Sequence, residues 1–159
     1  MNKRTDKSYQ RKGAKSNSHV GREFEKAAKY FFASKGLRLQ KDISVRIGIN
    51  GKKSHKFDLG NFNKKVLVEC KSHKWTEGGN VLSAKMTTWD QAMYLFYASP
   101  KDYRKIFFVL RHYNRKRKET LADYYIRTNT HLIPKNVEIW EYDDRKSFAT
   151  RKKIRRQEK

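Results

Sequence analysis

The amino-acid sequence predicts an α/β fold, in which a mixed central sheet is flanked by helices. Two observations carry this prediction. Apolar residues recur at helical spacing in three segments, and short apolar runs typical of buried strands lie between and after them. The resulting order is helix, three strands, helix, strand, helix and strand, which is typical of layered α/β domains.

The first predicted helix begins at Ser18 or His19 and ends at Gly36, where a glycine is expected as a C-terminal cap. Its apolar stripe has members at steps of three, four and seven residues, the spacing of one helix face. The members are Val20, Phe24, Ala27, Ala28, Phe31 and Phe32.

Three strands are predicted next, over residues 37–49, 55–62 and 65–72. Asn50-Gly51 between the first two is a strong signal for a two-residue turn. The third strand contains the run Val-Leu-Val, which indicates burial.

The second half of the chain continues the alternation. A helix is predicted over residues 83–98, a central strand over 106–110, a helix over 121–132 and a last strand over 137–142. Pro134 stops the third helix. The apolar face of the second helix consists of Met86, Trp89, Ala92, Met93 and Phe96.

Charge is the most unusual property of the composition. The 159 residues include 39 Lys and Arg against 16 Asp and Glu, a formal charge of +23. We predict one domain over residues 18–144, with basic flexible tails over 1–17 and 145–159. Because the domain is basic even without its tails, we expect a polyanionic partner, nucleic acid before anionic membrane.

The sequence also argues against several other classes of protein. No apolar stretch approaches the ~18 residues of a membrane span, and the N-terminus has no signal-peptide pattern. The single cysteine, Cys70, excludes an intramolecular disulfide framework and a multi-cysteine zinc site, and we expect it to pack as a small buried hydrophobe. These features predict a reducing, cytoplasmic and nucleoid-associated location.

A charged pair ends the third strand. Side chains alternate along a strand, so Glu69 and Lys71 are predicted on one face and Cys70 on the other. Burying an acid and an amine together is costly without compensation. If Asn63 and Lys64 form a two-residue loop, Asp58 lies opposite Glu69, and a hard cation would offset the repulsion of the two acids. A three-residue loop would instead place the acids on opposite faces.

The segment His55-Lys56-Phe57-Asp58, followed by Glu69-Cys70-Lys71, resembles the motif of the PD-(D/E)xK nuclease superfamily, with Phe57 in place of the proline. The resemblance implies an αβββαβ restriction-endonuclease-like core, from about residue 19 to residue 112. It also implies Mg²⁺ as cofactor, with Mn²⁺ able to substitute.

The same resemblance implies a role for individual residues. Glu25, Asp58, Glu69 and the Cys70 carbonyl would bind the metal, and Lys71 would position or polarise the attacking water and the phosphate. Gln91 would lie near the site. The residues expected to contact nucleic acid are Lys56, His73, Lys74, Trp75, Arg115, Lys116, Arg117 and Lys118.

Plainer interpretations exist for each candidate. Glu69 and Lys71 are also compatible with a surface ion pair, Asp58 with a strand-end residue, and Glu25 with a helix-dipole contact. Gln91 is also compatible with an ordinary helix residue, and Trp75 with core packing. The basic loop and the residues after Lys71 are also compatible with a solvated surface.

The function that this resemblance implies is Mg²⁺-dependent DNA endonuclease activity. We expect either structure-directed cleavage, similar to that of Holliday-junction resolvases, or a small restriction or homing nuclease. Cutting two strands would require a homodimer. The alternative is a non-catalytic basic nucleic-acid-binding protein, which explains the charge but not the acids beside a lysine on interior strands.

Overall fold

A mixed six-stranded sheet is the centre of this α/β protein, which is described here by a computed structural model over residues 16–81 and 83–156. The elements in chain order are α1 (Asn17–Ser34), β1 (Gln40–Ile47), β2 (Lys53–Asn61), β3 (Val66–Lys71), α2 (Ser83–Tyr97), β4 (Arg104–Leu110), β5 (Tyr113–Asn114), β6 (Glu119–Thr120), α3 (Leu121–Asn129), a 3-10 turn (Thr130–Leu132), β7 (Val137–Asp143) and β8 (Phe148–Arg151).

The strand order of the sheet is β1-β2-β3-β4-β7-β8. The central strands β3, β4 and β7 are parallel, and the outer pairs β1–β2, β2–β3 and β7–β8 are antiparallel. The short strands β5 and β6 form a separate hairpin. The predicted mixed sheet with flanking helices is confirmed, whereas β5, β6 and β8 were not predicted.

Helix α1 begins where Ser16 accepts a hydrogen bond from the His19 N–H at 3.2 Å. It ends before Gly36, whose φ of +81° suits a glycine and confirms the predicted cap. Most of the predicted apolar stripe is buried against the sheet, but Val20 at its start is 41% exposed.

Both faces of the sheet are covered, which explains the continuous apolar runs of its central strands. On one face, α1 packs over Leu59, Val68 and Phe108. On the other face, α2 and α3 pack over Leu67 and Phe107. No helix among the described residues is long and apolar enough to cross a membrane.

The register between β2 and β3 agrees with the prediction. Leu59 pairs with Val68 and Asn61 with Val66, so one further step places Asp58 opposite Glu69. The turn is closed by a hydrogen bond from the Lys65 N–H to the Phe62 carbonyl at 3.2 Å. The three-residue loop, which would have separated the two acids, is therefore excluded.

The C-terminal segment does not match the predicted basic tail. Residues 148–151 form β8, which pairs with β7, so the tail prediction for 145–159 is wrong there. Lys152 follows, with its ammonium 2.6 Å from Asp123 and 3.6 Å from the buried carboxylate of Glu141. At the other end, α1 begins at Asn17 and residues 1–15 lie outside the described part of the chain.

We expect Lys152→Ala to lower the free energy of unfolding by about 1–3 kcal/mol, because it removes a cation from a buried carboxylate. Glu141 keeps its hydrogen bond from the Thr120 hydroxyl at 2.5 Å, which limits the loss. Urea denaturation measures the change. The neighbouring exposed Lys153 is the control, and Lys153→Ala should change stability by less than about 0.5 kcal/mol. Equal effects of the two substitutions would show that β8 is not held by this contact.

Candidate metal and nucleic-acid site

Asp58 lies where the ladder between β2 and β3 ends. Leu59 and Val68 are the last paired residues, and one Asp58 carboxylate oxygen accepts a hydrogen bond from the Cys70 N–H at 2.8 Å. The side chain of Asp58 thus takes the place of a backbone acceptor on β3. This bond fixes its carboxylate at the carboxyl end of the central strand.

The backbone is irregular at this point. Phe57 and Leu59 are two residues apart in β2, yet they pack into cores on opposite faces of the sheet. The ladder between β1 and β2 also skips Asp58 and its neighbour Asp42, which has a φ of +56°. Since regular strands keep residues i and i+2 on one face, the alternation of side chains is interrupted at Asp58.

Glu69 is buried, with 6% of its surface exposed. Its carboxylate lies 4.0 Å from the Lys71 ammonium, on the same side of β3. The pKa of Glu69 is raised to about 8, first by burial and next by the charge of Asp58, while the charge of Lys71 opposes the increase. The surface ion pair considered from the sequence does not fit so buried a carboxylate.

The other two acids are electrostatically linked to Glu69. Burial raises the pKa of Asp58, while the Cys70 N–H and the Lys71 charge oppose this increase. Glu25 on α1 is half-buried, with its carboxylate 3.8 Å from the Lys41 ammonium. Its pKa is raised first by burial and next by the charge of Asp58. All three acids therefore share one electrostatic environment.

His55 belongs to the site, although the sequence analysis did not select it. Its Nε2 lies 3.9 Å from a Glu69 carboxylate oxygen and is buried without a hydrogen-bond partner among the described residues. Strict alternation places His55 on the face opposite Asp58. The irregularity at Asp58 shifts His55 and Phe57 to the face that carries Glu69, and no sequence pattern signals that shift.

Each predicted ligand contacts a protein group of its own. Asp58 accepts from Cys70, Glu69 lies beside Lys71, and Glu25 lies beside Lys41. Within residues 16–81 and 83–156, no three His, Cys, Asp or Glu side chains are arranged to hold a metal ion together.

The Cys70 side chain lies on the face of β3 opposite Glu69 and Lys71, as alternation predicted. Its side chain packs against the core beneath α1, and burial raises the pKa of its thiol well above the usual range. The contact that Cys70 makes with the site is the backbone N–H donated to Asp58. The predicted metal contact through its carbonyl oxygen stays a prediction.

Gln91 does not join the site. It is exposed on the face of α2 opposite the buried residues Trp89, Ala92 and Met93. Because α2 packs on the sheet through those residues, the Gln91 side chain points away from β3. The expectation of a catalytic glutamine here is therefore wrong, and the ordinary helix residue is the better interpretation.

Two aromatic candidates for nucleic-acid contact have structural roles in the fold. His73 accepts a hydrogen bond at Nδ1 from the Trp89 indole at 2.8 Å. Burial, followed by the charges of Lys85 and Lys71, lowers the pKa of His73 to about 4, so the ring is neutral at pH 7. Trp75 is 6% exposed and packs in the core, which does not agree with a ring available to stack on a base.

The basic residues 115–118 lie at the tip of the β5–β6 hairpin rather than in a simple loop. The Asn114 side chain orders the tip by accepting the N–H groups of Lys116 and Arg117. All four tip residues are exposed, and the Arg117 guanidinium also lies over the Trp75 ring at 5.0 Å. Lys56, the remaining basic candidate of this group, is exposed on β2, and its ammonium lies 3.8 Å from the Asp42 carboxylate.

The hairpin lies at the same end of the sheet as the acids. The loop that follows β3 contacts it through a hydrogen bond from the Trp75 N–H to His112 Nδ1 at 2.9 Å. Lys74 and the hairpin residues line a shared surface cavity of about 440 Å³.

Comparisons with protein-family models, with curated proteins and with solved structures find no match to this chain. Inference about its function therefore depends on the geometry of its own residues.

We expect Glu69→Gln to stabilise the metal-free protein at pH 8.5. The pKa of Glu69 is about 8 in the fold against a usual 4.5, so the unfolded chain ionises first. The contribution of this group to stability is therefore greatest below pH 4.5 and is lost as the pH rises towards 8. The neutral glutamine avoids that loss, which should be on the order of 1–3 kcal/mol.

The measurement is denaturation in EDTA at pH 5 and pH 8.5. The gain from Glu69→Gln should shrink at pH 5, and Glu77→Gln on an exposed loop should show no such pH dependence. A gain of equal size at both pH values would contradict the burial of an ionisable Glu69.

Proposed function

We propose that this chain is a Mg²⁺-dependent DNA endonuclease of the PD-(D/E)xK type. The observation that carries the proposal is the buried Glu69, with Lys71 beside it and Asp58 hydrogen-bonded to the intervening residue. The order α1, β1, β2, β3, α2, β4 is also the order expected of an αβββαβ core. On this proposal, that part of the chain is a restriction-endonuclease-like core.

A divalent cation would suit these acids because burial and mutual repulsion disfavour their ionised forms. Burial and the charge of Asp58 raise the pKa values of both Glu69 and Glu25. A hard cation would offset both effects, and Mg²⁺ needs few carboxylates because it keeps several waters. Bound Mg²⁺ would lower the pKa of a coordinated water and stabilise charge on the phosphate in the transition state.

Each residue then has a distinct task. Asp58 and Glu69 hold the cation, and Glu25 completes the set directly or through water. The Cys70 N–H restrains Asp58, so that little ordering of this side chain is required on binding. Lys71 supplies a positive charge for the water and the scissile phosphate. Mn²⁺ is expected to substitute for Mg²⁺.

The basic surface suits DNA bound through its backbone. Arg115, Lys116 and Lys118 are exposed at the end of the sheet that carries the acids. Backbone contacts carry little sequence information, which favours structure-directed cleavage, for example of a four-way junction, over a sequence-specific restriction enzyme. Cleavage of both strands would require two sites, so a homodimer is part of the proposal.

The test is nicking of a supercoiled plasmid with and without Mg²⁺. We expect Glu69→Ala and Lys71→Ala each to reduce the rate at least ~100-fold, because the first removes a ligand of the cation and the second a positive charge near the scissile phosphate. Gln91→Ala is the control and should retain the parent rate, since Gln91 faces solvent away from β3.

The substrate panel adds linear, flapped, nicked and four-way DNA. If the parent protein binds all of them and cuts none in Mg²⁺ or Mn²⁺, the chain is a non-catalytic nucleic-acid-binding protein. The net charge of +23 is the observation that favours this second function.

We expect Arg115→Ala combined with Lys116→Ala to weaken DNA binding and to lower the salt dependence. Each lost phosphate contact should reduce the slope of log K against log salt concentration by about 1, so the slope should fall by ~2. Fluorescence anisotropy from 50 to 300 mM salt measures it. Lys26→Ala with Lys29→Ala on the outer face of α1 is the matched control. Equal slopes for the two double variants would place the DNA elsewhere.

A further inference from the structure

A second feature lies at the opposite end of the α2 side of the sheet. A groove of about 770 Å³ runs between the last turns of α2 and the segment that joins the 3-10 turn to β7. Its apolar lining consists of Met93, Tyr94, Tyr97, Leu132, Ile133 and Pro134. Three of these side chains are exposed, Tyr94 at 60%, Tyr97 at 65% and Leu132 at 44%. Tyr94 and Tyr97, three residues apart on α2, lie on the same helix face.

Positive charge surrounds this apolar surface. Lys101 and Lys135 line the groove, and Lys105 at the start of β4 lies beneath it with 1% of its surface exposed. The hydrogen bond that the described residues offer the Lys105 ammonium is a long one, 3.4 Å to the Ser99 carbonyl. The charge of Asp102 acts on Lys105, but the Asp102 carboxylate already accepts a hydrogen bond from Lys65. A buried lysine with so little compensation would gain from a further anionic partner.

The groove offers little to a cation. Among its described lining residues the acidic one is Asp90, and its carboxylate already accepts from the Tyr125 hydroxyl at 2.8 Å and from the Asn129 amide at 2.9 Å. Apolar walls with a basic rim therefore favour a ligand that is both apolar and anionic.

We propose that this groove binds an acidic peptide segment of a partner protein, with apolar or aromatic side chains seated between Tyr97 and Ile133 and with carboxylates facing Lys101, Lys105 and Lys135. Charge complementarity is the argument for this occupant. It goes beyond the proposed nuclease activity and does not depend on it.

Other occupants fit less well. The terminal segment 1–15 of this chain is basic, and a second copy brings a further +23 charges, so both would be repelled by the lysines. A single-stranded nucleic acid would gain from the lysines and tyrosines. However, the walls between them are aliphatic and would leave the polar edges of a buried base without partners.

The groove is separate from the acids of the candidate active site. Lys105 pairs with Leu67, and Val109 pairs with Lys71, so four residues of β4 separate the two levels. That is about 13 Å along the strand. Substitutions on the groove surface should therefore leave Mg²⁺-dependent cleavage unchanged.

The test uses the full chain and a fluorescein-labelled synthetic peptide, four alternating Asp and Glu residues followed by Ile-Leu-Phe with a free carboxylate. We expect binding in the range of about 1–50 µM by anisotropy, a strength typical of short docking peptides that bury few side chains. Two control peptides isolate the two requirements. One replaces Ile-Leu-Phe by serines, and the other replaces the acids by lysines. Neither should bind.

The protein variants locate the site. Tyr97→Ala should weaken peptide binding at least tenfold. The double variant Lys101→Glu with Lys135→Glu should also weaken it at least tenfold, and its remaining binding should depend less on salt concentration than that of the parent. Both changes are on exposed or rim positions, so folding should be retained, and circular dichroism checks it. Tyr30→Ala with Lys29→Glu on α1 is the matched control and should bind as the parent does.

Three results would overturn the proposal. The first is no binding of the acidic peptide at 200 µM, or binding that the groove variants do not weaken. The second is tighter binding of a labelled ten-residue thymidine oligonucleotide that Tyr97→Ala abolishes, which would assign the groove to nucleic acid. The third is a dimer in sedimentation that Tyr97→Ala dissociates, which would assign it to a second copy.

Discussion

The burial of the Glu69 carboxylate is the constraint on which the rest of this site depends. A strand that is apolar on both faces ends in an acid that the fold removes from water and places near a second acid. Such an arrangement lowers stability unless the charge is compensated, and Lys71 at 4.0 Å compensates part of it. An ionisable group in so costly a position is a candidate for a functional role, which is the basis of the proposed function.

The backbone irregularity at Asp58 is what brings the groups together. In a regular hairpin, β2 would continue to pair with β3 and the Cys70 N–H would be directed to a backbone carbonyl. Here the ladder between β2 and β3 ends at the pair Leu59–Val68. The Cys70 N–H therefore donates to the Asp58 carboxylate and not to a backbone carbonyl of β2. The same break moves His55 and Phe57 to the face of Glu69. One local departure from strand geometry therefore positions the Asp58 carboxylate and places the His55 ring beside Glu69.

The sequence predicted the parts of this structure that follow from periodicity. The helix stripes, the cap at Gly36 and the register of β2 with β3 are local patterns, and each is observed. The predicted two-residue turn at Asn50-Gly51 is wrong, because Ile47 pairs with Lys53 and five residues join β1 to β2. Departures from periodicity were missed. His55 was missed because strand alternation fails at Asp58. Gln91 was misplaced although the predicted apolar face of α2 already leaves Gln91 on the opposite side of that helix.

The missed C-terminal strand has a different cause. Residues 145–156 are dominated by charge, and charge density indicates disorder when it is considered alone. In the fold, Ala149 is buried on β8 and Lys152 reaches a buried carboxylate, so isolated residues provide the contacts. An edge strand needs few apolar residues because only one side of its backbone is paired, and pattern-based prediction has little signal there.

The two ends of the α2 face differ in a way that bears on both proposals. The carboxyl ends of β3 and β4 carry the exposed cations of the hairpin tip and the buried Glu69, which the proposed function assigns to a phosphate backbone and a divalent cation. At the amino end of β4, cations surround apolar side chains, an arrangement that no phosphate backbone satisfies by itself. A protein that bound one polyanion over its whole positive surface would need no such difference between the two ends. The separation therefore argues that net charge alone does not define the partners of this protein, and that each end has its own ligand chemistry.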